Sequence, residues 1–215
     1  MILRLSIVYE EMFTNFSFVF EEIFNNFFLK IIFIDDAKGH RLIIELINSL
    51  NIIINVLREL GLKVFIIGAR ALIIRGVDLG RETRDWDLTI DKHPDLYLRD
   101  KITERLREKG FIVQWRKWGF YVNDDVHVDI NYAPLILDDL FIFRSLEIRP
   151  GLLIPSLEDL IILKLMSGER KDLMDLKKIF SQKREEIDIS YLQIRARQAG
   201  LEKDLEKILR RLKFI

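Results

Sequence analysis

Apolar residues recur along this chain with two different periods, and the changes between them mark its elements. Leu42, Ile43, Leu46, Ile47, Leu50, Ile53, Ile54 and Leu57 follow one helical face, which predicts a helix over 40–60 stopped by Gly61. The run KVFII at 63–67 is β-branched and aromatic and predicts a buried strand. Gly68-Ala69 turns the chain into a helix over 70–75, and the polar stretch 76–84 predicts a loop. A strand is expected over 87–90, then a helix over 94–109 closed by Gly110. Strands over 111–115 and 118–122 follow, with a turn at Asn123-Asp124-Asp125 leading to a strand over 126–130. One more strand is expected over 140–148. Ser156 followed by Asp159 predicts a capped helix start, and Gly168 separates that helix from another over 169–182. Leu201, Leu205, Ile208, Leu209 and Leu212 predict a final amphipathic helix. The expected fold is α+β, a mixed sheet flanked by helices. Its expected organisation is an apolar extension over 1–39, an α/β core over 40–150, and a helical part over 151–215 packed on that core.

Composition narrows the class. The 215 residues suffice for one sizeable domain, and 49% hydrophobic with 32% charged residues describes a globular protein. Lys plus Arg and Asp plus Glu both number 34, so no global basic field points to nucleic acid. The absence of cysteine excludes disulfides and zinc–thiolate sites and is compatible with a reducing, cytoplasmic setting. The Phe-rich runs 12–20 and 27–34 are broken by Glu21, Glu22, Asn25, Asn26 and Lys30, too soon for a membrane span of about 20 apolar residues.

The candidate chemistry lies in Asp85-Trp86-Asp87 and in Asp129. Side chains at i and i+2 of a strand project from one face, so Asp85 and Asp87 would stand side by side. A second strand carrying Asp129 would complete a group of three. Carboxylates so close repel one another unless a cation joins them. Hard oxygen donors of this kind suit Mg2+ or Mn2+. The pattern implies a metal-dependent reaction on a phosphate-bearing substrate.

Taken in order, Ile66-Ile67-Gly68-Ala69-Arg70-Ala71, Arg81-Glu82-Thr83-Arg84-Asp85-Trp86-Asp87-Leu88 and Val128-Asp129-Ile130 resemble the DNA polymerase β-type nucleotidyltransferase superfamily. The later stretch Pro155–Leu160, with Lys164, Arg170-Lys171-Asp172 and Asp175-Leu176, resembles its small prokaryotic members, among them AbiEii-type toxins. The resemblance covers about 62–180. It implies an enzyme that moves a nucleoside monophosphate from an NTP to a hydroxyl. Asp85, Asp87 and Asp129 would bind metal and catalyse. Gly68, Ala69, Arg70, Thr83, Lys164 and Arg170 would meet the nucleotide, although Ala69 stands where the family prefers Ser or Gly. The acceptor would be tRNA, a protein or a small molecule, and an antitoxin-like partner is implied, with no membrane.

Each residue also has a plainer reading. Lys164 reads as a lysine snorkelling from an apolar helix. Asp172 and Asp175 read as structural, His127 as a solvated strand histidine, and Trp115 and Trp118 as packing rather than base-stacking residues. Lys177, Lys178, Lys183 and Arg184 read as a solvated basic face. Two other functions compete: a non-catalytic nucleotide- or partner-binding module, and a glycosyltransferase that uses the Asp-x-Asp pair on sugar nucleotides.

Overall fold

Seven strands form a mixed sheet in the computed structural model of the chain, which describes residues 49–212 apart from 84, 118, 124–126, 133 and 135. The unit Ile52–Ile215 carries every element named below. The expectations for 1–39, for the first part of the 40–60 helix, for Trp118 and for the Asp124-Asp125 turn lie outside the described residues. Residues 52–59 are helical, as the spacing predicts. The strands are β1 (Val64–Ile67), β2 (Trp86–Ile90), β3 (Ile112–Trp115), β4 (Gly119–Asn123), β5 (His127–Asn131), β6 (Leu146–Arg149) and β7 (Leu152–Ile154). Their order across the sheet is β3-β4-β5-β2-β1-β7-β6. β1 runs antiparallel to β2, and β2 runs parallel to β5.

The helices are α1 (Gly68–Ile74), α2 (Leu96–Glu108), α3 (Asp139–Arg144), α4 (Leu157–Ser167), α5 (Arg170–Gln182), α6 (Ile189–Gln198) and α7 (Glu202–Arg211). The expected mixed sheet with flanking helices is what the structure shows. Where Ser156 was expected to cap, its hydroxyl accepts from the Asp159 amide at 3.1 Å. Gly168 closes α4 in the left-handed region at φ 64°.

Several expectations need correction. The stretch 140–148 is not one strand: it divides into α3 and β6. Asp138 accepts from the Phe141 amide at 2.8 Å and nucleates a helical turn that buries Phe141. A short apolar run such as Leu140–Phe143 is ambiguous by periodicity alone, so the cap decides it. The helix expected from Pro94 begins at Leu96, because the Asp95 side chain caps it on the Leu98 amide. β7 and α6 were not anticipated. β7 pairs in parallel with β1, so the sheet extends past residue 150. Among the described residues no helix is long and apolar enough to cross a membrane.

Alternation along the central strands sets the core. Trp86, Leu88 and Ile90 on β2 and Val128 and Ile130 on β5 are buried on one face of the sheet. Asp87, Thr89, Asp129 and Asn131 therefore share the opposite face.

Candidate active site

β2 and β5 lie side by side in parallel with Asp87 opposite Asp129 and Thr89 opposite Asn131. This register brings two carboxylates together on one face, although 41 intervening residues separate them in sequence. Thr89 is buried and its hydroxyl lies 3.2 Å from the Asn131 and Tyr132 carbonyls, which ties the two strands just beyond the acids. Asp85 precedes β2 and its side chain is 60% exposed, against 27% for Asp129. His127 bridges this rim: Nδ1 is 3.9 Å from Asp85 and Nε2 is 3.4 Å from Asp129. Its ring also meets Tyr121 edge-on at 4.5 Å.

The charge at Asp87 is not balanced. Burial pushes its carboxyl above the ordinary range and Asp129 pushes it further; Lys164 and Lys171 pull it back, and Asp85 adds a smaller upward push. The site is thus an acidic floor that a cation would stabilise.

Gly68 explains how the backbone reaches this floor. It sits at φ 67°, where β1 passes into α1. A Cβ built on it would lie 2.1 Å from Asp87 Oδ2. Any larger residue would displace the carboxylate, so glycine is required by space as well as by conformation.

Above the floor is a cavity of about 400 Å³. Gly68, Asp87, Asp129, Thr89, Asn131 and Tyr132 contribute one side of it; Lys164, Ser167, Glu169, Lys171 and Asp172 contribute the α4–α5 side. Lys164 does not snorkel to water. It is buried, with Nζ 2.5 Å from Asp172 and 2.9 Å from Asp175. Asp175 also accepts from Arg81 at 2.8 and 3.2 Å, which fastens the loop before β2 onto α5. The reciprocal bonds between Asp78 and Gln182, at 2.8 and 2.7 Å, fasten the same loop. Asp172 and Asp175 are therefore ion-pair partners, in keeping with their structural reading. Withdrawing Lys164 would leave two carboxylates buried beside it, a change that typically costs about 3–5 kcal/mol. Lys171 is different. It pairs with Glu169 at 3.1 Å, with side chains 62% and 58% exposed, and such surface pairs are worth about 0–1 kcal/mol.

Asp85, expected beside Asp87 on one strand, lies before β2 and outside the cavity lining, and the remaining sequence candidates also fall outside that lining among the described residues. Ala69 is packed in the core. Arg70 is buried with its guanidinium 4.8 Å over the Trp86 ring, on the side of β2 away from Asp87. Burial lowers its pKa, opposed by Asp85 and Asp87, so it acts on the acids as a cation behind the sheet. Thr83 is half-buried, and Arg170 points to solvent. Trp115 donates from Nε1 to Thr103 at 2.7 Å and packs against Phe120 with the rings tilted and their centroids 4.5 Å apart, a packing role. Sequence reasoning missed Thr89, Asn131, Tyr132 and Glu169, and gave Lys171, which it noted within Arg170-Lys171-Asp172, no role of its own. Thr89 and Asn131 were accessible through the two-residue period from Asp87 and Asp129; the other three carry no such signal.

Among the described residues no three His, Asp or Glu side chains converge as a ready-made chelate. Two facing carboxylates with a third on the rim still suit Mg2+ or Mn2+. Mg2+ is characteristically held by one or two carboxylates, with waters and substrate phosphates filling its other positions. The unbalanced charge on Asp87 and the glycine-made space beside it fit such an ion.

No family model matches the chain, and no curated protein matches it. Solved structures do. The chain is similar to the antibiotic-resistance factor ANT(2'')-Ia, at 17% identity over 74% of this chain and 96% of that one, with a TM-score of 0.47. It is similar to ANT(2'')-Ia in complex with adenylyl-2''-tobramycin, at 14% identity over 74% and 97% of the two chains, TM-score 0.48. It is also similar to a proposed nucleotidyltransferase from H. pylori, at 17% identity over 77% and 79%, TM-score 0.45. At these identities the functional reading rests on the carboxylate geometry.

Proposed function

We propose that this protein is a divalent-metal-dependent nucleotidyltransferase that moves a nucleoside monophosphate from an NTP to a hydroxyl. The observation that carries the reading is Asp87 in register with Asp129 at the floor of a cavity, against a glycine that leaves no room for a side chain. Asp87 and Asp129, with Asp85 on the rim, would hold Mg2+ or Mn2+. When bound, such ions neutralise phosphate charge and stabilise the entering and leaving oxygens of an in-line displacement. The acceptor oxygen bonds to the α-phosphorus while the bond from that phosphorus to the bridging oxygen breaks, and pyrophosphate leaves. The hydroxyl proton passes to the Asp129 carboxylate. Lys164, pinned by Asp172 and Asp175, keeps one of its three N–H donors for the phosphates.

The acceptor class follows from the toxin-like sequence resemblance: an RNA 3′ end or a protein side chain before a small molecule, with an antitoxin-like partner. The test is incubation of the full chain with Mg2+, each α-labelled NTP, total tRNA and cell lysate. Label transfer that disappears in Asp129→Ala supports the reading. Tight NTP binding without transfer to any acceptor sinks it and favours a non-catalytic binding module. That second reading draws on Ala69, and on Lys164 and Lys171 each already having a carboxylate partner. Binding of UDP-sugars in preference to NTPs would point to glycosyl transfer.

A further inference from the structure

We infer that Lys171, rather than Lys164 or Arg170, is the cation that moves to the outer phosphates of the nucleotide, and that Glu169 holds it in reserve until they arrive. The inference rests on the nucleotidyl-transfer reading and deepens it by assigning the polyphosphate end of the site.

Three observations separate the cations. Lys164 is committed: its ammonium sits between two buried carboxylates, one of which also anchors Arg81. It can offer a hydrogen bond in place but cannot follow a ligand without stranding Asp172 and Asp175. Arg170 is exposed and takes no part in the cavity wall. Lys171 lines the cavity, and among the described residues its only ion pair is the exposed one with Glu169. Both lysines are close enough to the floor to act on the Asp87 charge. Of the two, only Lys171 can change partner cheaply.

The geometry also explains the role of Glu169. It lines the same cavity and precedes α5, but its side chain makes no capping hydrogen bond to that helix. Among the described residues its ion-pair partner is Lys171, at 3.1 Å. When a triphosphate takes over the ammonium, Glu169 is left in water, where a carboxylate is well solvated. Before that, Glu169 keeps Lys171 from folding down onto Asp87. Glu169 therefore competes with the phosphates for Lys171, and removing its charge must strengthen nucleotide binding. The gain from Glu169→Gln should disappear in a Lys171→Met background, which separates competition for Lys171 from the plain loss of a negative charge beside the phosphates.

The experiment is calorimetric titration of the full chain in Mg2+ with the α,β-methylene analogues of the four NTPs and with inorganic tripolyphosphate. Nucleoside monophosphates serve as the control. In Lys171→Met, affinity for the triphosphate probes should fall about tenfold, the loss of one charge-assisted hydrogen bond, while monophosphate affinity is unchanged. In Glu169→Gln, the triphosphate probes should bind about threefold tighter. Both side chains are exposed, so both variants should fold, which a melting curve checks. Unchanged triphosphate affinity in Lys171→Met, or weaker binding in Glu169→Gln, overturns the assignment and leaves the nucleotidyl-transfer reading standing. A wild-type chain that binds no probe overturns both.

Discussion

Asp87 and Asp172 line the same cavity from opposite sides, and their surroundings treat them in opposite ways. Burial opposes ionisation at both. At Asp172 the hydrogen bond from Lys164, with help from Ser167 and Lys171, outweighs burial and holds the carboxyl below its ordinary range. At Asp87 the next-largest influence after burial is another carboxylate, Asp129, and the pKa rises. A second buried acid, Asp159 on the helical side, is also pushed up by burial, but its polar neighbours all pull it back. Asp159 is fully enclosed by Arg195 at 2.7 Å, Tyr191 at 2.8 Å and Ser156 at 3.0 Å. Arg195 also reaches Asp138 at 2.8 Å, Gln198 at 2.6 Å and the Ile136 carbonyl. Burial lowers the Arg195 pKa, but Asp159 and Asp138 raise it more. The helical side thus carries acids matched to bases, while the strand floor carries acids facing acids. Burial raises both Asp87 and Asp159, so what sets the floor apart is the kind of neighbour, a second carboxylate where Asp159 has a paired arginine.

The sharpest way to break the comparison is Asp87→Asn. Transfer should fall on the order of 10⁴-fold, about 5 kcal/mol of transition-state stabilisation, in a labelled-NTP assay. The metal-free variant should nevertheless melt a few degrees higher than wild type, because a repelled charge has gone. A linked pH effect follows. Asp87 binds its proton more tightly folded than unfolded, so the native state holds the excess proton between the ordinary carboxylate range and the raised pKa of Asp87. Stability from this group therefore falls as pH rises through that window, and the variant falls less steeply, keeping the share of Asp159, whose carboxyl burial also raises. Melting curves in chelator across that range check it, and a wild type that gains stability there would refute the unbalanced floor.

Next in size is Arg195→Met on the matched side. It leaves Asp159 buried without its main partner and should cost about 3–5 kcal/mol in urea denaturation. A loss below about 1 kcal/mol would show that the network is not the scaffold described. Smallest is Gly68→Ala, which should cost about 1–3 kcal/mol through strain at positive φ and the clash with Asp87. Its Mn2+ affinity should fall more than that of a Gly61→Ala control, whose Cβ would meet nothing within 4 Å, although Gly61 has a positive φ too.

Much of this was legible without coordinates. The glycine after β1, the Asp-x-Asp at β2 and Asp129 on a later strand are local patterns, read from spacing and strand periodicity. So were the Ser156 cap and the helical face through residues 52–59. The misreadings have two causes, one local and one tertiary. For 140–148, an aspartate cap at Asp138 selected helix from a run that periodicity left open. For Lys164, the partners that bury it stand eight and eleven residues away on the next helix, across the Gly168 turn. No window along α4 alone contains them.

What the sequence determined by itself is which residues alternate and where the backbone may turn, since the two-residue strand period and the freedom of glycine are properties of a few neighbouring residues. Trp86 goes inward and Asp87 outward for that reason. The tertiary structure alone decided that β5 lies beside β2 with Asp129 opposite Asp87, that Lys164 is locked, and that Lys171 is left loosely held. Strand register and charge pairing over dozens of residues depend on how the whole core closes, because a single buried charge takes its state from every group packed around it.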